Sequence, residues 1–157
     1  MKKRSVTHAT FAIERSYPAS PAQVFGAFAD PALKFRWFNG PEEWGPDTHE
    51  MNFRVGGRET SVGGPEGGPI HAFNAIYQDI VPDQRIVYSY DMHLDEVRIS
   101  VSLATIELKP AGSGTLLVLT EQGAYLDGWD NVADRQRGTE DLLDALGRFL
   151  ARPGGDA

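Results

Sequence analysis

Leu142, Leu143, Leu146, Phe149 and Leu150 recur at the period of an α-helix, and Arg152-Pro153-Gly154-Gly155 ends the pattern. A helix with one apolar stripe must lay that stripe on another surface. The sequence before it supplies candidates, in runs where apolar and polar residues alternate between glycine and proline breaks. The sharpest joint is Phe53-Arg54-Val55-Gly56-Gly57-Arg58, where adjacent glycines close an alternating run and call for a tight reversal with positive φ. Together these features describe an α+β chain in which a curved antiparallel sheet grips a closing helix. That arrangement encloses a pocket more naturally than it builds a catalytic crevice.

The first alternation, over 8–17, sets Phe11 and Ile13 against Thr10, Ala12 and Glu14. Ser20-Pro21-Ala22-Gln23 reads as the N-cap, first-turn proline and capping-box glutamine of a short helix carrying Val24, Phe25 and Phe28. Asp30-Pro31 repeats the signature, so a second short helix carries Leu33 and delivers Trp37-Phe38 to a loop. His49, Met51, Phe53 and Val55 then alternate up to the glycine pair, which predicts a hairpin into a strand starting near Arg58. A strand over 71–80 breaks at Val81-Pro82-Asp83-Gln84, and its partner presents Ile86, Tyr88, Tyr90 and Met92 on one face. Over 96–108, Val97, Ile99, Val101 and Leu103 hold one phase while Ile106 and Leu108 hold the other, which predicts a β-bulge near Ala104-Thr105. The last strand has Thr115, Leu117, Leu119 and Glu121 on one side. Projected backwards, the helical stripe passes through Thr139, Gln136, Arg135 and Val132, so the helix starts either at Thr139 or some turns earlier.

The chain of 157 residues fits one domain over 1–157, with an ordered core over about 8–150 and a flexible tail over 153–157. A net charge of −7 argues against a broad nucleic-acid or anionic-membrane surface. Without cysteine there is no disulfide, thiolate nucleophile or cysteine-ligated zinc. Met1-Lys2-Lys3-Arg4 is followed by Ser5-Val6-Thr7-His8 rather than an apolar run, so the expected location is the cytoplasm.

His8, His49, His71 and His93 lack metal-ligand spacing, there is no serine-nucleophile elbow, and the glycine pairs fit no nucleotide-binding loop. No metal and no cofactor are expected. Glu121 and His93 are the candidate proton-transfer groups, Glu121 because its strand phase turns it inward, where Arg135 or Arg54 could pair with it. The rival reading of Glu121 is a strand-end carboxylate in solvent. Trp37, Phe38, Phe53, Phe73, Tyr77, Tyr88, Tyr90 and Tyr125 form the candidate ligand-binding set, with Gln136 and Thr139 as a polar stripe above it. Plain core packing is the rival explanation for any single aromatic.

The order Ser20-Pro21-x-x-Val24-Phe25, Asp30-Pro31, Trp37-Phe38, Phe53-Arg54-x-Gly56-Gly57-Arg58, Ile80-x-Pro82, Gly114-Thr115 and a closing amphipathic helix resembles the START-like (SRPBCC) superfamily. More narrowly, it resembles the family named after the C-terminal domain of the activator of the heat-shock-protein-90 ATPase. The resemblance implies a helix-grip fold, a bent antiparallel sheet wrapped around the C-terminal helix with small helices after the first strand. It also implies an internal cavity for a hydrophobic or aromatic small molecule. Relatives often carry Gly-Trp where this chain has Gly138-Thr139, a change that removes a bulky ring at the helix and enlarges the space. Two alternatives come with the resemblance: a cofactor-free pocket enzyme like the polyketide cyclases, and a chaperone-interaction module. A homodimer is a secondary partner expectation.

Overall fold

The computed structural model describes residues 4–45 and 47–152, so the expected tail over 153–157 lies outside the described residues. Strand β1 (Val6–Tyr17) leads into helices α1 (Pro21–Ala29) and α2 (Pro31–Lys34). After a 3₁₀ turn at Glu42–Trp44 come β2 (Thr48–Met51), β3 (Arg58–Gly63), β4 (His71–Val81), β5 (Arg85–Leu94), β6 (Val97–Ala111) and β7 (Gly114–Leu126). Helix α3 (Val132–Leu150) closes the chain. The seven strands form one bent antiparallel sheet in the order β1-β7-β6-β5-β4-β3-β2, and α3 packs against its inner face, as a helix-grip fold requires.

Local chemistry explains the entry to this fold. The Ser20 hydroxyl accepts from the Gln23 N–H, and the Gln23 side chain accepts from the Ser20 N–H, closing the expected capping box. Asp30 caps α2 by accepting from the Ala32 N–H at 2.9 Å. Trp37 is then held where its indole N–H donates to the Ala27 carbonyl at 3.0 Å, which fixes the chain at the mouth of the sheet. Beneath it, Phe11, Ile13, Ile106, Leu117, Leu119, Leu146 and Phe149 share one core.

The long version of α3 is the one found. Asn131 caps it by accepting from the Asp134 N–H at 2.9 Å, so the polar residues before Thr139 belong to the helix.

Two expectations need correction. The expected hairpin forms, with β2 antiparallel to a β3 that starts at Arg58, but β2 stops at Met51 and residues 52–57 make an irregular loop in place of a tight turn. Val55 points to solvent and Phe53 folds onto Phe25 and Tyr77, at ring-centre distances of 5.6 and 4.8 Å. Gly56 takes φ 83°, and a Cβ on Gly57 would collide with the Asn52 carbonyl oxygen. The loop continues the sheet in its own way: the Gly56 N–H donates to the Tyr77 carbonyl and the Tyr77 N–H donates to the Gly57 carbonyl.

The bulge of β6 is also elsewhere. Register with β5 runs unbroken through Ala104 and Thr105, and it slips instead where Met92 pairs with Ser100 and His93 with Arg98. Ile99 and Ser100 are therefore both buried, after which Ser102, Ala104, Ile106 and Leu108 face inward while Val101 and Leu103 face out. Small residues on the inner side of β6 leave room for a large polar side chain from α3.

Candidate functional site

Between α3 and the concave face of the sheet lies a cavity of about 910 Å³. The alternation of β5 turns Tyr88, Tyr90 and Met92 into it, β4 adds Phe73, and the stretch after α2 adds Trp37 and Phe38. Helix α3 closes the other side with Thr139, Leu142 and Phe149. Phe73 meets Phe38 at 5.3 Å and Tyr90 at 4.9 Å between ring centres, so the aromatic wall is continuous.

One end of the cavity is polar. The phase of β7 places Glu121 on the concave face at 2% exposure, which rules out the solvated strand-end reading. Tyr90 donates its hydroxyl proton to Glu121 Oε2 at 2.6 Å. Arg135 donates to the Tyr90 oxygen at 3.1 Å and to Ser100 Oγ at 2.7 Å, pairs with Asp130, and stands 3.6 Å from Glu121 Oε2. Arg135, rather than Arg54, is therefore the cation beside Glu121.

Burial raises the Glu121 carboxyl above its ordinary range, against the opposing pull of Tyr90 and Arg135. Burial also disfavours the Arg135 cation, but Tyr90, Asp130 and Glu121 outweigh it and push this guanidinium up. Asp130 pairs with Arg135, and Glu121 beside them is a carboxyl that holds its proton more readily than usual. Such a carboxyl, hydrogen-bonded to a phenol and facing a cavity, can give or take a proton at a bound molecule.

A second buried polar group stands behind the aromatic wall. Glu59, at 1% exposure, receives Lys34 Nζ at 2.7 Å, His49 Nε2 at 3.0 Å and the Tyr77 hydroxyl. Lys34 sits 4.4 Å from the Phe38 ring centre, and His49 stacks on Phe35 at 3.9 Å. This cluster ties α2 to β2, β3 and β4 and so sets the position of Phe38 in the cavity wall. Burial alone would raise the Glu59 carboxyl, but Lys34, His49 and Tyr77 together hold it down to about 2.

The chain matches, over residues 18–151, the family model described as activator of Hsp90 ATPase homolog 1-like protein. It belongs to that family. A putative uncharacterized protein from Rhizobium leguminosarum is 43% identical, with a TM-score of 0.92 over 96% of this chain and 99% of its own. The Mll3558 protein from Rhizobium loti is 50% identical, with a TM-score of 0.84 over 92% of this chain and 98% of its own. CalU16 from Micromonospora echinospora, at 21% identity and a TM-score of 0.62 over 96% of this chain and 87% of its own, shares the fold. No curated protein matches the sequence.

In this family member the expected site residues divide. Trp37, Phe38, Phe73, Tyr88, Tyr90, Thr139 and Glu121 line the cavity. Phe53, Tyr77, Tyr125, Gln136 and His93 do not. Phe53 is spent on the 52–57 loop, and the Tyr77 hydroxyl on Glu59. The Tyr125 ring centre lies 5.6 Å from the Arg135 guanidinium carbon. Gln136 is half-buried on a neighbouring face of α3, and His93 follows the bulge, with Nδ1 3.5 Å from Asp91 Oδ1.

Sequence reasoning missed the Lys34–Glu59 cluster and the pairing of Trp44 with His71 in the cavity lining, their ring centres 4.7 Å apart and their planes tilted by 35°. Strand β3 reads Arg-Glu-Thr-Ser-Val-Gly, with Val62 its only large apolar residue and that one turned outward, so no pattern marked Glu59 as buried.

Proposed function

We propose that the protein binds a hydrophobic or amphipathic small molecule between its sheet and α3. The supporting observation is the cavity itself. Its volume of about 910 Å³ is within the usual range of small-molecule sites, roughly 300–1,000 Å³, and it combines aromatic and aliphatic walls with a few convergent polar groups. Membership of a family built on this fold supports the same reading. Among the described residues no helix is long and apolar enough to cross a membrane.

One observation favours a second reading, a cofactor-free enzyme. Glu121 is a buried carboxyl that holds its proton more readily than usual and touches Tyr90 inside the cavity, the pairing expected of a proton-transfer group. The two readings diverge at Glu121→Gln, which keeps ligand affinity in a carrier and abolishes turnover in an enzyme.

Calorimetric titration with apolar and aromatic ligands is expected to show binding with a negative heat-capacity change. Thr139→Trp fills the space that Thr139 leaves open and is expected to weaken that binding by about tenfold or more, with melting close to the parent. Unchanged affinity in Thr139→Trp would place the ligand elsewhere.

A further inference from the structure

Building on the proposal that the cavity is a binding site, we infer that its ligand carries an oxyanion, a carboxylate or phosphate, seated at the rim by Arg36, Arg148 and Arg152. All of these arginines line the cavity and all are exposed. Arg148 lies in the last turn of α3 beside Phe149, and Arg152 follows just past the helix end, where its N–H donates to the Phe149 carbonyl at 3.3 Å. Arg36 arrives from a different element, the turn after α2, and its guanidinium carbon lies 5.5 Å from the centre of the Phe149 ring. The three arginines therefore stand around an apolar floor, while Glu42, Asp47, Asp134 and Asp141 also line the cavity, Asp134 paired with Arg137 and Asp47 accepting from Ser61.

Among the described residues no carboxylate is within 4 Å of any of these guanidinium groups. Arg4, Arg15, Arg85, Arg98, Arg135 and Arg137 all have such a partner. Arg54, in the 52–57 loop, and Arg58, at the start of β3, also lack one, but neither lines the cavity. The carbonyl end of α3 favours nearby cations, which accounts for Arg148 and Arg152 as surface residues. It does not account for Arg36 being brought to the same ring, nor for the cavity opening among them.

At the opposite end of the cavity Arg135 already has carboxylate partners, pairing with Asp130 and standing 3.6 Å from Glu121. A net negative group on a ligand is therefore best met at the arginine rim, with its apolar body against Phe38, Phe73 and Leu142. A net charge of −7 disfavours an anionic lipid surface as the source of that group, which points to a free amphiphile.

The test is calorimetric titration of the full chain, at low salt, with decanoate, decyl phosphate and the uncharged decanol. The same titrations are run on the variant combining Arg36→Gln, Arg148→Gln and Arg152→Gln. Contacts of exposed ion-pair strength from three arginines sum to about tenfold, so at least one of the anions should bind about tenfold more tightly than decanol. That preference should shrink in about 1 M salt and vanish in the triple variant, with decanol affinity unchanged in both cases. Equal affinity for all ligands in the parent, or an undiminished preference in the triple variant, would overturn the oxyanion site while leaving the cavity reading intact. Failure of every ligand to bind would instead overturn the cavity reading on which the site rests. Cosedimentation with phosphatidylglycerol vesicles, without binding of either free anion, would assign the arginines to a membrane surface and overturn the proposal.

Discussion

Replacing Lys34 with alanine is expected to cost about 3–5 kcal/mol of folding stability, the range for removing one partner of a buried ion pair. Glu59 would remain in the interior with only His49 and Tyr77 to answer its charge. Glu59→Gln should be costly for the converse reason, since it strands the Lys34 ammonium at 3% exposure. Combining Lys34→Met with Glu59→Gln removes both charges and should recover much of the loss, a coupling that a double-mutant cycle with the Lys34→Met and Glu59→Gln single variants measures in urea.

The sign of the pH dependence follows from the same cluster. Glu59 is held at about 2 in the folded protein, below its ordinary value of 4.5, so the native state binds this proton less readily than the unfolded chain does. Its contribution is full above about pH 4.5 and is lost as the pH falls toward 2. Glu121 runs the other way. Its carboxyl is raised, mainly by burial, so its ionisation opposes folding as the pH rises past the ordinary glutamate range. At pH 7, Glu121→Gln should therefore be tolerated or stabilising where Glu59→Gln is strongly destabilising. Equal losses for the two in urea denaturation would refute this division between the buried glutamates.

Leu146→Ala is the second large effect, expected at about 2–5 kcal/mol. Leu146 has no exposed surface and belongs to the core that α3 shares with β1, β6 and β7. The surrounding geometry gives the helix little freedom to collapse into the space. The Tyr17 hydroxyl donates to the Leu143 carbonyl at 2.7 Å, and the Tyr17 ring lies close against Gly147. A loss below about 0.5 kcal/mol in chemical denaturation, the size of an ordinary surface change, would show that the sheet does not grip this helix.

What the sequence made legible was local. Ser20 with Gln23 and Asp30 with Pro31 are satisfied within a few residues, so their patterns carry over directly into helix starts. The strand phases of β5 and β7 were also readable, because Ile86, Tyr90, Leu117 and Leu119 face a core and their neighbours do not. That phase alone turned Glu121 inward.

The errors arose where tertiary contacts overrode residue character. Val101 and Leu103 are apolar but lie on the outer face at 43% and 37% exposure, so the β6 pattern pointed to a bulge in the wrong place. Ser100 and Ser102 look like solvent residues, yet they face inward beside Arg135, the cation that made the helix start ambiguous. Glu59 gave no signal because the groups that make its burial tolerable come from Lys34, His49 and Tyr77, scattered over more than forty positions. The candidate site was half legible for a related reason. Aromatic residues in Tyr77 and Phe53 have the inward character of a pocket wall, but their partners draw them into the core behind it.

Native mass spectrometry of the protein purified from its own host tests the central claim, that the cavity between sheet and α3 holds a small molecule. The account predicts a retained mass of small-molecule size that dissociates on gentle activation and is lost or diminished in Thr139→Trp. Apoprotein alone, together with no calorimetric binding of apolar, aromatic or amphipathic ligands, would contradict it and leave the chaperone-interaction reading of the family in its place.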